Sequence, residues 1–482
     1  MPNESGRADY RECLIGCSGA PGNPRWVWSR RTEDTRLKRQ SPIPDPVVAD
    51  IQLPSHCDVV VVGAGIAGAS TALALADAGL RTVLCEKGIV AGEQSSRNWG
   101  WVRKMHRDPR ELPLMLESLR IWEGFEKTLD VDTGFRRSGI AYLCRTAADV
   151  ERYEDWLEQV REFQVDSRLV SRAEIDHVLP GCQGDWQGAF YTPTDARAEP
   201  QKATPAIARA AQRLGASVVT NCAVRGVETT GGRISGVVTE RGHIACDSVV
   251  VAAGAWSGLF CRSLGVLFPQ LHVVSSVLRT EAFDGGPETA AWGQDFAYRK
   301  RLDGGYSVAN GGWNDVDLVP DSFRFARQFM PALRNEWGSL RFRLGQAFID
   351  QARQPKSWAL DEISPFERVR ILDPAPSQEA LDSARKALSR TFPIFENRIV
   401  EQGWAGTIDA TPDAVPVISE VTSLSGLFLI SGFSGHGFGI GPGAGYLMSD
   451  LVRGESPRID PKPFRFSRFS DGSPLRPMSR SV

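Results

Sequence analysis

Gly63, Gly65 and Gly68 stand at G-x-G-x-x-G spacing directly after four consecutive valines, and an acidic residue, Glu86, ends the next apolar run with Lys87 beside it. That combination grips a diphosphate. Gly63 permits the sharp turn, Gly65 has no Cβ to hold a pyrophosphate away from the backbone, and Gly68 lets helix and strand pack closely. The helix opening at Ile66 and Ala67 turns its free N–H groups and positive dipole end towards the phosphates. The Glu86 carboxylate can then take both hydroxyls of an adenosine ribose, at close to the ~20-residue separation that such a fingerprint needs.

Three further blocks carry polar or backbone groups suited to the same ligand. The loop after Glu86 brings Ser95, Ser96, Arg97, Asn98 and Trp99, whose hydroxyls, guanidinium and amide suit phosphate and the polar edge of a cofactor. An apolar run at 247–251 ends in AAGAWS, so that Ala253, Gly254 and Trp256 leave room for a cofactor against backbone. Near the C-terminus, WAGTIDATPDAVPVI and LFLISGFSGHGFGIGPGAGYLMSDLV supply a strand, a glycine-dense loop (Gly435, His436, Gly437, Phe438, Gly439) and a helix expected to begin near Pro442. A second positive helix end would there stabilise negative charge on a reduced ring.

The elements that must position these blocks follow from periodicity. Strands are expected at 59–62, 82–85 and 135–144, helices at 112–129, 147–163 and 203–214, and a run of strands at 217–220, 224–229, 234–239 and 243–251. Residues 297–312 read as a hairpin around Asp303-Gly304, and 319–390 as helical segments rich in Arg, Phe and Trp. Arg103, Lys104 and His106 read as surface charges. Trp99, Trp101, Tyr298 and Trp313 are candidates for an aromatic wall, or for simple core.

With 56 basic and 58 acidic residues the chain of 482 has no net field to draw nucleic acid or anionic lipid, so a small molecule is the expected partner. Nine scattered cysteines suggest no disulfide framework and a reducing compartment. No H-x-x-x-H or C-x-x-C spacing occurs, and no metal site is expected. The apolar stretch 58–80 is not read as a membrane span, because Asp58, Asp77 and the glycines suit a turn. The expected location is cytoplasmic, with peripheral attachment at the inner membrane open. Residues 1–54 read as a flexible extension and 456–482 as a Pro, Arg and Ser-rich tail.

These blocks together resemble the FAD-dependent D-amino-acid oxidase superfamily, with glycine oxidase, monomeric sarcosine oxidase and bacterial amino-acid dehydrogenases, over about residues 56–455. The resemblance rests on VVVVGAGIAGAS, SSRNWG, VVAAGAWS, WAGTIDATPD and GFSGHGFGIGPGAG. It implies an α/β fold: a Rossmann-type, glutathione-reductase-like FAD-binding domain (55–134, 200–270, 395–455) interleaved with an α+β substrate domain (135–199, 271–394) on an antiparallel sheet. It also implies that Val224 meets the adenine through its backbone and that Arg301, with Arg299 in reserve, clamps a substrate carboxylate. Gly406 stands where monomeric sarcosine oxidase has the cysteine joined to flavin, implying non-covalent FAD. Gly439 stands where that enzyme has its oxygen-activating lysine, so electrons would pass to oxygen, a quinone or a carrier protein.

The expected activity is oxidation of the C–N bond of an amino acid or secondary amine, with hydride transfer to flavin N5 and hydrolysis of the imine in water. Arg301, Tyr298 and His436 are the expected catalytic residues, although His436 is as well suited to a structural role. No side-chain base is strictly required, because alignment and stabilisation of the reduced ring supply much of the catalysis. Two other readings stand beside it. One is a 2-hydroxy-acid dehydrogenase, which needs His436 or His106 as base; the other is a flavin-holding assembly or electron-transfer subunit without turnover of its own.

Overall fold

The valines of Val59–Val62 are buried on both faces, as a central parallel strand requires. Val59 and Val61 pack with Ile66, Leu73, Ile207, Ile440 and Leu447 of the covering helices. Val60 and Val62 pack on the other side with Val224, Ile234, Val237 and Ile244. A period of two thus splits one four-residue strand between two cores. A computed structural model, describing residues 27–28 and 41–478, shows this strand at the centre of a six-stranded sheet. The order is Ser217–Val219, Thr82–Cys85, Val59–Val62, Ser248–Val251, Leu427–Ser431 and Val417–Glu420, all parallel except the last.

Helices Ile66–Asp77, Pro200–Arg213 and Gly437–Arg453 cover one face, and Leu112–Leu129 packs on the last of them. A three-stranded meander, Val224–Thr230, Arg233–Thr239 and Gly242–Ala245, covers the other. The helix placed near Pro442 starts at Gly437, and Pro442 lies inside it. The glycines of this helix allow a close approach: a Cβ on Gly441 would meet the Ile66 side chain at 2.8 Å, and one on Gly445 the backbone of Ser70 at 2.5 Å. The register is therefore set by packing on Ile66–Asp77, not by the proline.

A second sheet of eleven strands is built mainly of antiparallel pairs, with parallel pairing where Ala290–Trp292 meets Ile140–Cys144 and Asn314–Asp317 meets Leu340–Leu344. Its longest pairing runs antiparallel between Leu271–Thr280 and Val400–Ala410, so a strand expected in the FAD-binding half hydrogen-bonds into the larger sheet. The hairpin around Asp303-Gly304 forms as expected from Ala297–Lys300 and Tyr306–Ala309. The strand expected over 135–144 is broken at Gly139, which takes a positive φ; Arg136–Arg137 joins a separate small sheet. Strand Leu340–Leu344 falls within the stretch expected to be helical.

The expected flexible extension lies outside the described residues over 1–26 and 29–40. Where it is described it is engaged. Val27–Trp28 pairs in parallel with Arg343 and Leu344, and Asp50 accepts from the Val218 N–H at 2.7 Å and donates its own N–H to the Val218 carbonyl. The tail also docks: Arg468 is buried against Asp413 with nitrogen–oxygen distances of 3.0 and 3.1 Å, and Phe464 is fully buried. Among the described residues no helix is long and apolar enough to cross a membrane.

The hairpin and the loop after Glu86 are joined by a buried pair. Arg299 binds Glu199 through two nitrogens, at 2.7 and 3.1 Å, and gives its Nε–H to the Trp99 carbonyl. Arg299→Met leaves Glu199 buried without its cation and should destabilise the protein by about 3–5 kcal/mol, read from denaturant unfolding. A loss below about 1 kcal/mol would show that the pair is not a structural tie.

Candidate functional site

At the C-terminal ends of the parallel strands a channel runs past the first glycine turn. Its outer part, about 110 Å³, is lined by Gly63, Gly65, Glu86, Lys87, Ser95, Val224, Ala253, Gly254 and Trp256. The middle part, about 90 Å³, adds Ile66, Ala67, Asn98, Gly435, Gly437 and Phe438. Gln94, Asn98, Gly435 and Phe438 are shared with the inner cavity of about 370 Å³, which Arg97, Trp99, His436 and Gly439 also line. Of the cofactor residues expected from sequence, Gly68 and Ser96 are not in the wall. Gly68 provides close packing, since a Cβ there would collide with the Gly63 carbonyl, and the Ser96 hydroxyl turns to the Glu93 carbonyl at 3.2 Å.

The donors fit an FAD. Gly63 has φ +103°, and a Cβ on it would lie 2.6 Å from the Ala252 carbonyl oxygen, so the strand ends at 62–65 and 251–254 meet backbone to backbone. The Ile66 N–H at the helix start reaches the Ser95 hydroxyl at 2.8 Å, leaving the turn lined by small polar groups. Glu86 accepts from the Ala64 and Gly88 N–H groups, both at 2.8 Å, and burial pushes its carboxyl up from the ordinary range. Trp256 donates its indole N–H to Glu93 at 3.1 Å, and Lys87 pairs with Glu93 at 2.6 Å while lying 4.7 Å from the Trp256 ring centre. Gln94 Oε1 and Arg97 Nε are buried without a hydrogen-bond partner among the described residues, which leaves polar capacity beside the channel.

The lining of the inner cavity includes two chemically different groups. One is apolar, with Val316, Leu318, Phe329, Leu333, Leu340 and Phe342. The other is Arg103, Arg107 and His436. Arg103, Lys104 and His106, read from sequence as surface charges, are all buried. Arg103 donates to the Met105 carbonyl at 2.6 Å, Lys104 pairs with Asp166 at 2.7 Å, and burial pulls His106 down to about 3. Burial likewise pulls the Arg107 guanidinium down to about 9, and its Nη1 has no hydrogen-bond partner among the described residues.

Two of the expected catalytic residues do not reach this cavity. Arg301 is folded back on its own turn, with Nε 3.1 Å and Nη2 2.5 Å from the Asp303 carboxylate. Tyr298 faces a separate aromatic core, packed on Phe296, Tyr306, Phe392 and Phe395. Arg299, the reserve choice, is consumed by Glu199. Of the four aromatics, Trp99 and Trp101 line the cavity with ring centres 5.2 Å apart, whereas Trp313 stacks on the Arg341 guanidinium at 3.6 Å. Sequence reading missed Arg107 and Glu111. The spacing of Arg103, Arg107 and Glu111 by four was visible, but Pro109 spoils a helical reading.

The profile of the FAD dependent oxidoreductase (DAO) family matches residues 58–451. The chain belongs to this family. It is accordingly an FAD-dependent oxidoreductase, with the mixed α/β, Rossmann-like fold expected from sequence. Among curated relatives, sarcosine oxidase subunit beta of an Arthrobacter species is 26% identical, over 86% of this chain and 91% of that one. Glycine oxidase of Pseudomonas aeruginosa is 26% identical over 84% and 97%. The solved structure of L-amino acid deaminase from Proteus myxofaciens in complex with anthranilate superposes with a TM-score of 0.86 at 33% identity, covering 90% of this chain and 99% of that one.

Gly63→Ala should weaken FAD binding roughly tenfold or more, because backbone strain of about 1–3 kcal/mol adds to the collision with Ala252. The ratio of flavin to protein absorbance in the purified variant reads this directly, and an unchanged ratio would contradict the assigned turn.

Proposed function

We propose that this flavoenzyme oxidises the C–N bond of an α-amino acid bearing a large apolar side chain. The observation that carries the reading is the inner cavity, which shares Gln94, Asn98 and Phe438 with the channel and is lined by both guanidinium and apolar side chains. Arg107, with a buried nitrogen lacking a partner among the described residues, offers a charged hydrogen bond to a carboxylate, with Arg103 beside it. Phe329, Leu333, Leu340 and Phe342 then receive the apolar side chain. Bound FAD supplies a two-electron acceptor for the Cα hydride at its N5. What the protein adds is position: Arg107 and the apolar wall fix the two ends of the substrate, and Trp99 and Trp101 close one side. The imine is hydrolysed in water.

FAD is held without a covalent bond in this reading, since a Cβ at Gly406 would run into Gln94 Oε1, and acid precipitation releases the yellow colour into the supernatant. The electron acceptor is a quinone or carrier protein in preference to oxygen: Gly439 brings no ammonium to the ring, and Lys104 is paired with Asp166. The site of action is the cytoplasm or its membrane face.

Anaerobic mixing with a panel of D-, L- and N-methyl amino acids, small and large, and with 2-hydroxy acids tests the assignment. Amino acids with large apolar side chains should bleach the flavin band, and hydroxy acids should not. Arg107→Met should raise KM for these substrates by about 2–3 kcal/mol, roughly 30- to 150-fold, with little change for amines lacking a carboxylate. Equal effects on both classes would overturn the carboxylate assignment.

A further inference from the structure

Beside the cavity's Arg103, Arg107 and His436 lies a carboxyl group with no part in the reading above. Glu111, at the start of helix Leu112–Leu129, is fully buried. Its Oε2 lies 3.1 Å from His436 Nδ1, and its Oε1 has no hydrogen-bond partner among the described residues. His436 lines the cavity, at the residue that precedes helix Gly437–Arg453. With Nδ1 held by Glu111, Nε2 is the ring nitrogen left for a ligand.

An α-amino acid arrives with its nitrogen as an ammonium, which has no lone pair to expel a hydride from Cα. One proton must leave first. We propose that His436 and Glu111 together take that proton, His436 as the group touching the substrate and Glu111 as the positioning residue that stores the charge. The inference rests on the amino-acid reading above. The substrate N–H⁺ bond breaks as a proton passes to His436 Nε2, and the Nδ1 proton passes to the Glu111 carboxylate. The imidazole ends neutral, in its other tautomer. The products are a neutral amine and a protonated Glu111, so charge and protons balance without any further reactant.

The surroundings suit that direction of transfer. Arg103, Arg107, Asp108 and Arg110 face Glu111; Arg103, Arg107 and Asp108 face His436, and His106 lies close to it. Tyr142 and Asp195, from elements packed against the same loop, act on Arg107. An imidazolium among these guanidinium groups is disfavoured: burial first, then Arg107 and Arg103, pull His436 well below its ordinary range. The positive charge therefore does not stop on the ring. Burial pushes Glu111 up to about 8 against the pull of the arginines, so its carboxylate accepts a proton readily. The two groups titrate as a pair, with an apparent value that belongs to the dyad.

The sign follows. The dyad accepts only when Glu111 is ionised, so flavin reduction at low substrate concentration rises with pH, roughly tenfold per unit below the dyad's value, and levels off above it. Stopped-flow anaerobic reduction by the best amino acid from the panel reads this limb. Glu111→Gln should retain FAD and lose the limb, leaving a slow rate that is flat over the same range, whereas Glu111→Asp should retain a rise. In protein labelled with ¹⁵N-histidine and free of substrate, His436 should change tautomer through the same pH window, and should not do so in Glu111→Gln. A Glu111→Gln profile that matches the wild type, or a His436 tautomer indifferent to Glu111, would overturn the proposal. If no amino acid reduces the flavin at any pH, the substrate reading and this inference both fall, and an intact tautomer titration would show that the dyad itself is real. If Glu111→Gln does not fold, His436→Gln must abolish the limb instead, and a retained limb overturns the proposal.

Discussion

Two stretches of backbone meet at Gly63 and Ala252 more closely than any side chain would permit, and the site depends on that contact. It draws together the ends of strands Val59–Val62 and Ser248–Val251, so that both open onto one channel with bare peptide groups. The same economy of side chains recurs between helices. Gly441 and Gly445 let Gly437–Arg453 lie against Ile66–Asp77, which carries Gly435 and His436 to the far end of the channel. Removing Cβ atoms at these points has an entropic cost in the unfolded chain, and it is offset by a core buried on both faces of the sheet.

The inner cavity rests on the opposite device, side chains that are charged yet buried. Arg103, Arg107, Glu111 and His436 are all withdrawn from water. In such surroundings charge interactions are much less screened than in solvent. Arg107, Glu111 and His436 then hold their protons at values shifted from the ordinary, which is the condition for exchanging a proton with a bound amine. The buried Arg299–Glu199 pair works differently. It satisfies both partners with two hydrogen bonds and fixes the Trp99 loop, and nothing is left over for a ligand.

How much of this was legible in the sequence follows from whether the signal was local. The turn at Gly63 to Gly68, the acid at Glu86 and the strand end at Ala253 and Gly254 are set by backbone geometry within a few residues; Gly63, Gly65, Glu86, Ala253 and Gly254 line the outer channel, and Gly68 packs helix on strand. Arg301 read wrongly because its partner, Asp303, sits two residues on and a turn brings the two together. Tyr298 read wrongly because strand alternation gives a side but not which side faces the cavity. Arg103 and His106 looked like surface charges. Their burial comes from Tyr142, Tyr153 and Trp156, which lie tens of residues away in the chain and which no window on the loop can see.

Whether a side-chain-free turn holds the diphosphate of a dinucleotide, and so aims a redox ring into the inner cavity, can be read by titrating the deflavinated protein with FAD and following the quenching of flavin fluorescence. Saturation is expected at one FAD per chain, with competition by ADP and return of the yellow colour. A chain that takes up no FAD, or one whose uptake is indifferent to ADP, would contradict that assignment.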